Sequence, residues 1–143
     1  MKLVNIEATL RLGRASSKCG IKKFIFLSSI GVLGNKTNKG TFNNNSKFDP
    51  TDTYSETKME AEIGLKNIFK GSNTELIIVR PPLVYGPGAP GNFERLLKLV
   101  DTGLPLPFRA MNERKKMISL FNLCDFLMKI TLKKLPVSQT ELV

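Results

Sequence analysis

Two short, uninterrupted apolar runs constrain this chain more than anything else in it. Lys23–Leu27 ends in Ser28-Ser29, and Glu75–Val79 ends in Arg80-Pro81-Pro82. In each, four apolar residues in a row after a leading Lys23 or Glu75 read as a strand buried on both faces, the pattern of a parallel sheet. Proline cannot continue a central ladder, so the second run must stop at Arg80. Ahead of the first run, Leu3, Ile6 and Leu10 with Val4, Ala8 and Leu12 recur at helical spacing, and Gly20 suits the left-handed position after the last turn. Between the runs, Asp52 or Thr53 is placed to cap a helix reaching about Lys70, with Gly71 as its stop. Helix, strand, helix, strand in that order predicts an α/β fold with parallel pairing.

Beyond Arg80 the pattern loosens. The spacing predicts a helix over 93–102, an extended segment over 104–108, a short strand over 116–121 and a last helix over 122–135. The long polar loop over 31–53 is of a length that usually carries function.

Composition narrows the chemistry. The 143 residues contain no histidine, and Cys19 and Cys124 stand far apart, which excludes zinc sites and Ser-His or Cys-His nucleophile systems. Both cysteines lie in amphipathic contexts and are expected to be buried thiols. No apolar run approaches the roughly 20 residues that span a bilayer. Residues 1–5 lack the features of a signal peptide, so the expected location is cytoplasmic. A net charge of +10 raises the question of a polyanion partner. The lysines are scattered in pairs, with no basic helix interleaved with aromatics, which predicts solvated faces rather than a nucleic-acid module.

Ligands of open α/β sheets bind at the carboxyl ends of the strands. Here those ends are Ser28-Ser29 and Pro81-Pro82-Leu83, which fall on one face of the sheet. Tyr54 and Lys58 are four apart and share a helix face. A phenol with a pKa of about 10 is a poor base at neutral pH. An adjacent ammonium favours the phenolate, and a serine hydroxyl can donate to a reacting oxygen. Ser29, Tyr54 and Lys58 together suit proton removal from an alcohol while hydride leaves its carbon for a nicotinamide acceptor. Tyr-x-x-x-Lys alone fits a solvated helix face equally well. Its place after a buried strand ending in Ser-Ser favours the chemical reading.

Three segments then resemble successive motifs of one family: Phe24 to Gly34, Asp49-Pro50 with Tyr54-Ser-Glu-Thr-Lys58, and Val79 to Gly88. They resemble the extended short-chain dehydrogenases/reductases, specifically the NAD-dependent nucleotide-sugar epimerases and dehydratases. Residues 5–9 resemble the family's Asn-Val-x-Gly-Thr segment, with Ala8 in place of the glycine. The resemblance implies part of a Rossmann-type, doubly wound NAD-binding domain over 1–85 and the start of a substrate region over 86–143. It implies NAD in preference to NADP, a UDP-linked hexose as substrate, and a homodimer. Tyr54 would be the acid/base, and Lys58 would bind the nicotinamide ribose and tune Tyr54. Asn5, Ser28, Pro81 and Pro82 would line the cofactor, while Ser29, Leu83 and Asn92 would face the sugar nucleotide. Lys115 falls where an arginine often clamps the diphosphate, and a lysine there loses the bidentate fork. A solvated turn over 114–116 is the competing reading.

The chain also departs from the family. No Gly-rich turn lies between a first strand and its helix, so by resemblance the chain starts midway through the cofactor domain, without the helix N-terminus that holds a pyrophosphate. The two apolar strands are then expected to present long open edges. Two readings stay open: a 4-epimerase-like oxidoreductase, or a non-catalytic remnant that binds a sugar nucleotide or a partner chain.

Overall fold

The computed structural model describes residues 1–36, 40–87, 98, 101–102, 116–132 and 139–142. Helix α1 spans Thr9–Lys18, strand β1 Lys23–Leu27, helix α2 Thr53–Phe69 and strand β2 Glu75–Val79. Two three-residue strands follow, β3 (Leu83–Tyr85) and β4 (Met117–Ser119), then helix α3 (Leu120–Leu132) and strand β5 (Gln139–Leu142). Asn92, Lys115 and most of the expected 93–102 helix lie outside the described residues, as does the expected extended segment 104–108.

The main sheet is parallel, in the order β1-β2-β5, with Phe24 opposite Leu76 and Leu27 opposite Val79. β2 is the buried centre. Phe24 and Phe26 of β1 with Leu76 and Ile78 of β2 form one core against Ala61, Leu65 and Phe69 of α2. On the opposite face Ile77 and Val79 pack with Ile130 of α3, joined by Ile25, Phe126 and Leu127. The result is helix, sheet, helix, the layering of a doubly wound fold. Lys23 ties the layers at one end, donating to the Ile130 carbonyl at 2.6 Å, where a cation complements a helix C-terminus.

Several expectations change. β1 is not buried on both faces: Leu27 is 41% exposed, because among the described residues β1 is an edge strand. β2 has no open edge, since the unexpected strand β5 pairs with it through Leu76–Val79. Neither cysteine is buried; Cys19 follows the end of α1, and Cys124 is turned by one helical step away from buried Leu123. The first helical segment also opens with a wider π turn over Leu3–Ala8 before α1. Of the strand expected over 116–121 only Met117–Ser119 is extended, and α3 takes over at Leu120.

The hydrogen-bond parity of β1 matters for the site. The Lys22 carbonyl accepts from Glu75 N and Ser28 N donates to the Val79 carbonyl, at 3.0 and 2.7 Å. Even-numbered backbone groups of β1 therefore face β2, while those of Lys23, Ile25 and Leu27 face outward from the sheet.

Candidate active site

β1 delivers Ser28 and Ser29 to the carboxyl end of the sheet. Ser29 is extended and caps a short 3-10 turn over Ile30–Leu33, its Oγ accepting from Gly31 N at 3.2 Å. That bond uses an acceptor position of the hydroxyl and leaves its hydrogen available to donate. Ser28 is buried, and its Oγ has no hydrogen-bond partner. A buried hydroxyl without a partner is costly, and it marks a place where a bound group would be satisfied. Pro81 joins the same corner, its carbonyl accepting from Ile30 N at 3.0 Å. Pro82 follows it, and Leu83 opens β3 opposite Met117.

α2 brings the second half of the site. Asp52 caps it, accepting from Ser55 N and Ser55 Oγ, both at 2.9 Å. Those bonds hold the Asp52 carboxyl below the usual carboxylate range. A Cβ on Gly31 would lie 2.5 Å from Ser55 Oγ and 3.4 Å from Ser29 Oγ. Gly31 is therefore where the first turn of α2 closes on the end of β1, which sets Ser29 beside the turn that carries Tyr54. Across the loop, Asp49 N donates to the Val32 carbonyl at 3.0 Å, and Gly34 turns at φ +104° against Asp49. Both ends of the 31–53 loop are thus stitched to the site.

Lys58 Nζ reaches past the Phe26 ring, 4.9 Å from its centroid, and donates to the Leu27 carbonyl at 3.0 Å. It lies 5.8 Å from the Tyr54 ring centroid. Burial holds Lys58 below the ordinary lysine value, against the raising influence of Glu62. Tyr54 is 43% exposed, and its phenol lies above its ordinary pKa, first through partial burial and then through the charge of Asp52. This is opposite to the direction that an adjacent ammonium predicts: partial burial disfavours the phenolate first, and the negative charge of Asp52 adds to it. Asn5, on the π turn, donates to Thr57 Oγ1 at 3.0 Å, and Thr57 Oγ1 donates to the Tyr54 carbonyl at 2.8 Å. Asn5 thus reaches the site through the backbone of the Tyr54 turn.

One pair was not singled out from sequence. Glu62 and Arg80 are both fully buried and joined by three bonds of 2.6 to 3.2 Å. Phe48 covers the guanidinium at 5.4 Å. The spacing held a signal: Tyr54, Lys58 and Glu62 form one i, i+4, i+8 stripe, and Arg80 sits between a buried strand and two prolines. No group of metal-ligating side chains occurs among the described residues.

The comparisons agree with this architecture. The chain is 40% identical over 126 residues to a UDP-glucose 4-epimerase of Vibrio cholerae, covering 87% of this chain and 38% of that protein. It is 33% identical over 126 residues to the N-acetyl-alpha-D-glucosaminyl-diphospho-ditrans,octacis-undecaprenol 4-epimerase of Escherichia coli O157:H7, again 38% of its length. The fold matches that of the UDP-glucuronic acid 4-epimerase of Bacillus cereus, solved with UDP-glucuronic acid and NAD, at a TM-score of 0.80 and 23% identity. That match covers 96% of this chain and 45% of the other. The chain therefore spans about two fifths of the curated relatives it matches. The family model for the NAD dependent epimerase/dehydratase family matches residues 1–119. With most of its length matched and this parallel α/β frame beneath the match, the chain belongs to the NAD dependent epimerase/dehydratase family.

Proposed function

We propose that these residues form the proton-transfer side of an NAD-dependent nucleotide-sugar oxidoreductase acting at the sugar 4-hydroxyl, of the UDP-hexose 4-epimerase kind. The observation that carries the reading is the placing of Tyr54 and Lys58 on one face of α2, with Lys58 reaching the strand end that presents Ser28 and Ser29. The 40% identity to a UDP-glucose 4-epimerase supports the substrate class. Tyr54 accepts the proton of the sugar hydroxyl, and Ser29 donates a hydrogen bond to the same oxygen. Tyr54 and Lys58 would hold the nicotinamide ribose, and the unpartnered Ser28 hydroxyl with the backbone of Pro81-Pro82 would line the ring. When bound, NAD supplies the hydride acceptor. Leu83, Asn92 and Lys115 face the sugar nucleotide in this reading, with residues 1–85 serving the cofactor and 86–143 the substrate. The enzyme is a homodimer, consistent with exposed apolar Leu3, Val4, Leu12 and Ile63 on the two helical segments beside the site. Exposed free thiols at Cys19 and Cys124 suit a reducing, cytoplasmic setting.

The test is a chimera in which this chain replaces the matching span of the Vibrio cholerae relative. Conversion of UDP-galactose to UDP-glucose should fall by about 10²–10⁴ with Tyr54→Phe while NAD affinity is retained. Near-normal turnover by the variant would remove Tyr54 from the reaction.

A second reading, a non-catalytic binding module, is favoured by the engagement of Lys58 on Leu27 and the raised phenol of Tyr54. Micromolar NAD binding by the 143-residue chain, with a cooperative melt, would overturn it.

A further inference from the structure

We infer that the outward face of α3 is a self-association surface, on which the same helix of a second copy of this chain lies antiparallel. The contact is independent of the proposed chemistry at Tyr54 and of any pairing through α1 and α2.

The helix is apolar on two sides. Phe126, Leu127 and Ile130 pack on Ile25, Ile77 and Val79 of the sheet, and Leu123 is buried as well. Turned the other way are Phe121, Met128 and Leu132, which are 76%, 67% and 85% exposed. At about 100° per residue these three fall within about 40° of one another, a single stripe along the helix. Exposed Cys124 lies beside it. A helix apolar on both sides is normally covered on both, and a continuous exposed apolar stripe marks an interaction surface.

The charges identify what covers it. Asp125 and Lys129 are exposed on one flank of the stripe and bonded to each other at 2.7 Å. When two copies of a helix meet antiparallel about a two-fold axis, each flank faces the same flank of the other copy. A parallel pair brings opposite flanks together instead. In the antiparallel pair Asp125 therefore comes opposite Lys129 of the second copy, and Lys129 opposite its Asp125. One helix thus carries both halves of two intermolecular ion pairs. The same register sets Phe121 within one residue of Leu132 of the second copy and leaves Met128 next to the axis. Charged and apolar positions agree on one arrangement. An anionic membrane surface is a poorer match, because the Asp125 carboxylate opposes it.

α2 and α3 roof opposite faces of the sheet, and α1 lies against α2, with Gly13 packed on Leu65. A copy seated on α3 leaves the surfaces of α1 and α2 free, so the two contacts can coexist. A single helix face buries less than the roughly 800 Å² per partner of a stable interface, so the contact is weak alone and strengthened beside another.

Sedimentation velocity of the 143-residue chain tests this, over roughly 10–500 µM as suits a contact below standard interface size. The expected result is reversible self-association that Phe121→Ser weakens by roughly tenfold or more. Lys129→Asp should weaken it too, since Asp125 then faces a second aspartate. Asp125→Lys combined with Lys129→Asp restores opposite charges across the antiparallel pair and should recover the association. A thermal melt of each variant checks that the fold is kept. A second measurement leaves α3 unaltered and decides the matter if a variant fails to fold: in Cys19→Ser, a short bismaleimide should join Cys124 of two copies. The proposal is overturned by a chain that stays monomeric, or by an association that Phe121→Ser leaves unchanged, which belongs to another face. It is equally overturned by a double reversal as weak as the single one, or by absence of the Cys124 cross-link. Binding to phosphatidylserine vesicles in place of self-association would assign the stripe to a membrane surface, and also overturns it.

Discussion

The Glu62 carboxylate grips the Arg80 guanidinium through both its oxygens, with neither side chain more than 2% exposed. Glu62 lies two turns after Tyr54 on α2, and Arg80 directly precedes Pro81-Pro82. The pair therefore clamps the helix that carries the acid/base candidate to the strand end that would flank a cofactor. Deleting one partner of a buried pair leaves a charge without its counter-ion, which typically costs about 3–5 kcal/mol. Glu62→Leu should cost about that much, read as a lower urea midpoint. Glu62→Leu combined with Arg80→Met should recover most of it, since replacing both charges by apolar side chains is often near neutral. A double variant no more stable than the single would mean that the pair itself, not charge burial, sets the cost.

Two glycines on the α1/α2 crossing separate close packing from helix propensity. A Cβ on Gly13 would meet Leu65 Cδ2 at 2.6 Å, and one on Gly64 would meet Leu10 Cδ2 at 2.5 Å. Leu65 is fully buried and cannot yield, while Leu10 lies at the margin of the core and can. Overpacking costs about 1–3 kcal/mol, and alanine gains about 1 kcal/mol over glycine in a helix. Gly13→Ala should thus destabilise the fold by up to about 2 kcal/mol, and Gly64→Ala should fall near neutral. Equal losses in the two denaturation curves would show that Leu10 is as fixed as Leu65.

The strands, the α2 cap and the Tyr54–Lys58 face were legible in the sequence because each depends on local pattern. Four apolar residues in a row, an Asp three before Ser55 and an i, i+4 pair need no partner to be recognised. What was not legible depends on pairings made at a distance. β5 has the polar sequence Gln139-Thr140-Glu141-Leu142, and only its neighbour β2 makes it a strand. Leu27 carries the apolar character of a buried residue, but its exposure is decided by β1 being an edge. The Glu62–Arg80 bond joins residues 18 apart and could be suspected only from an arginine placed at the end of a buried run. The direction of the Tyr54 shift is hidden for the same reason: spacing places Lys58 on the right face but does not show the burial of the phenol or the charge of Asp52 beside it.

Asp52 gives the helix a pH-dependent start. Its carboxyl is held below the usual value by Ser55, so the folded state binds its proton less readily than the unfolded chain. The stabilisation is full above the ordinary carboxylate pKa of about 3.9 and is lost as pH falls through the lowered folded value. Asp52→Ala should cost about 0.5–2 kcal/mol near neutral pH, the usual worth of such a cap. Wild type and variant should converge in thermal melts well below pH ~4. A gap that persists undiminished in acid would show that the cap does not depend on the charge.

Tyr54 offers the sharpest reading of the site as it stands. The chain has two tyrosines, so in Tyr85→Phe the ultraviolet phenolate signal reports Tyr54 alone. Partial burial and the charge of Asp52 both oppose ionisation, so the midpoint should lie above about 10. Because the folded pKa is the higher one, the stability linked to this group is intact below the ordinary tyrosine value and lost as pH rises through the folded one. Asp52→Asn, which retains a capping side chain, should move the midpoint down by removing the negative charge. Lys58→Met should leave it nearly unmoved while Lys58 is bonded to Leu27. A large effect of Lys58→Met in the chain alone would mean that the two side chains are already coupled and that the Leu27 bond does not hold the lysine away.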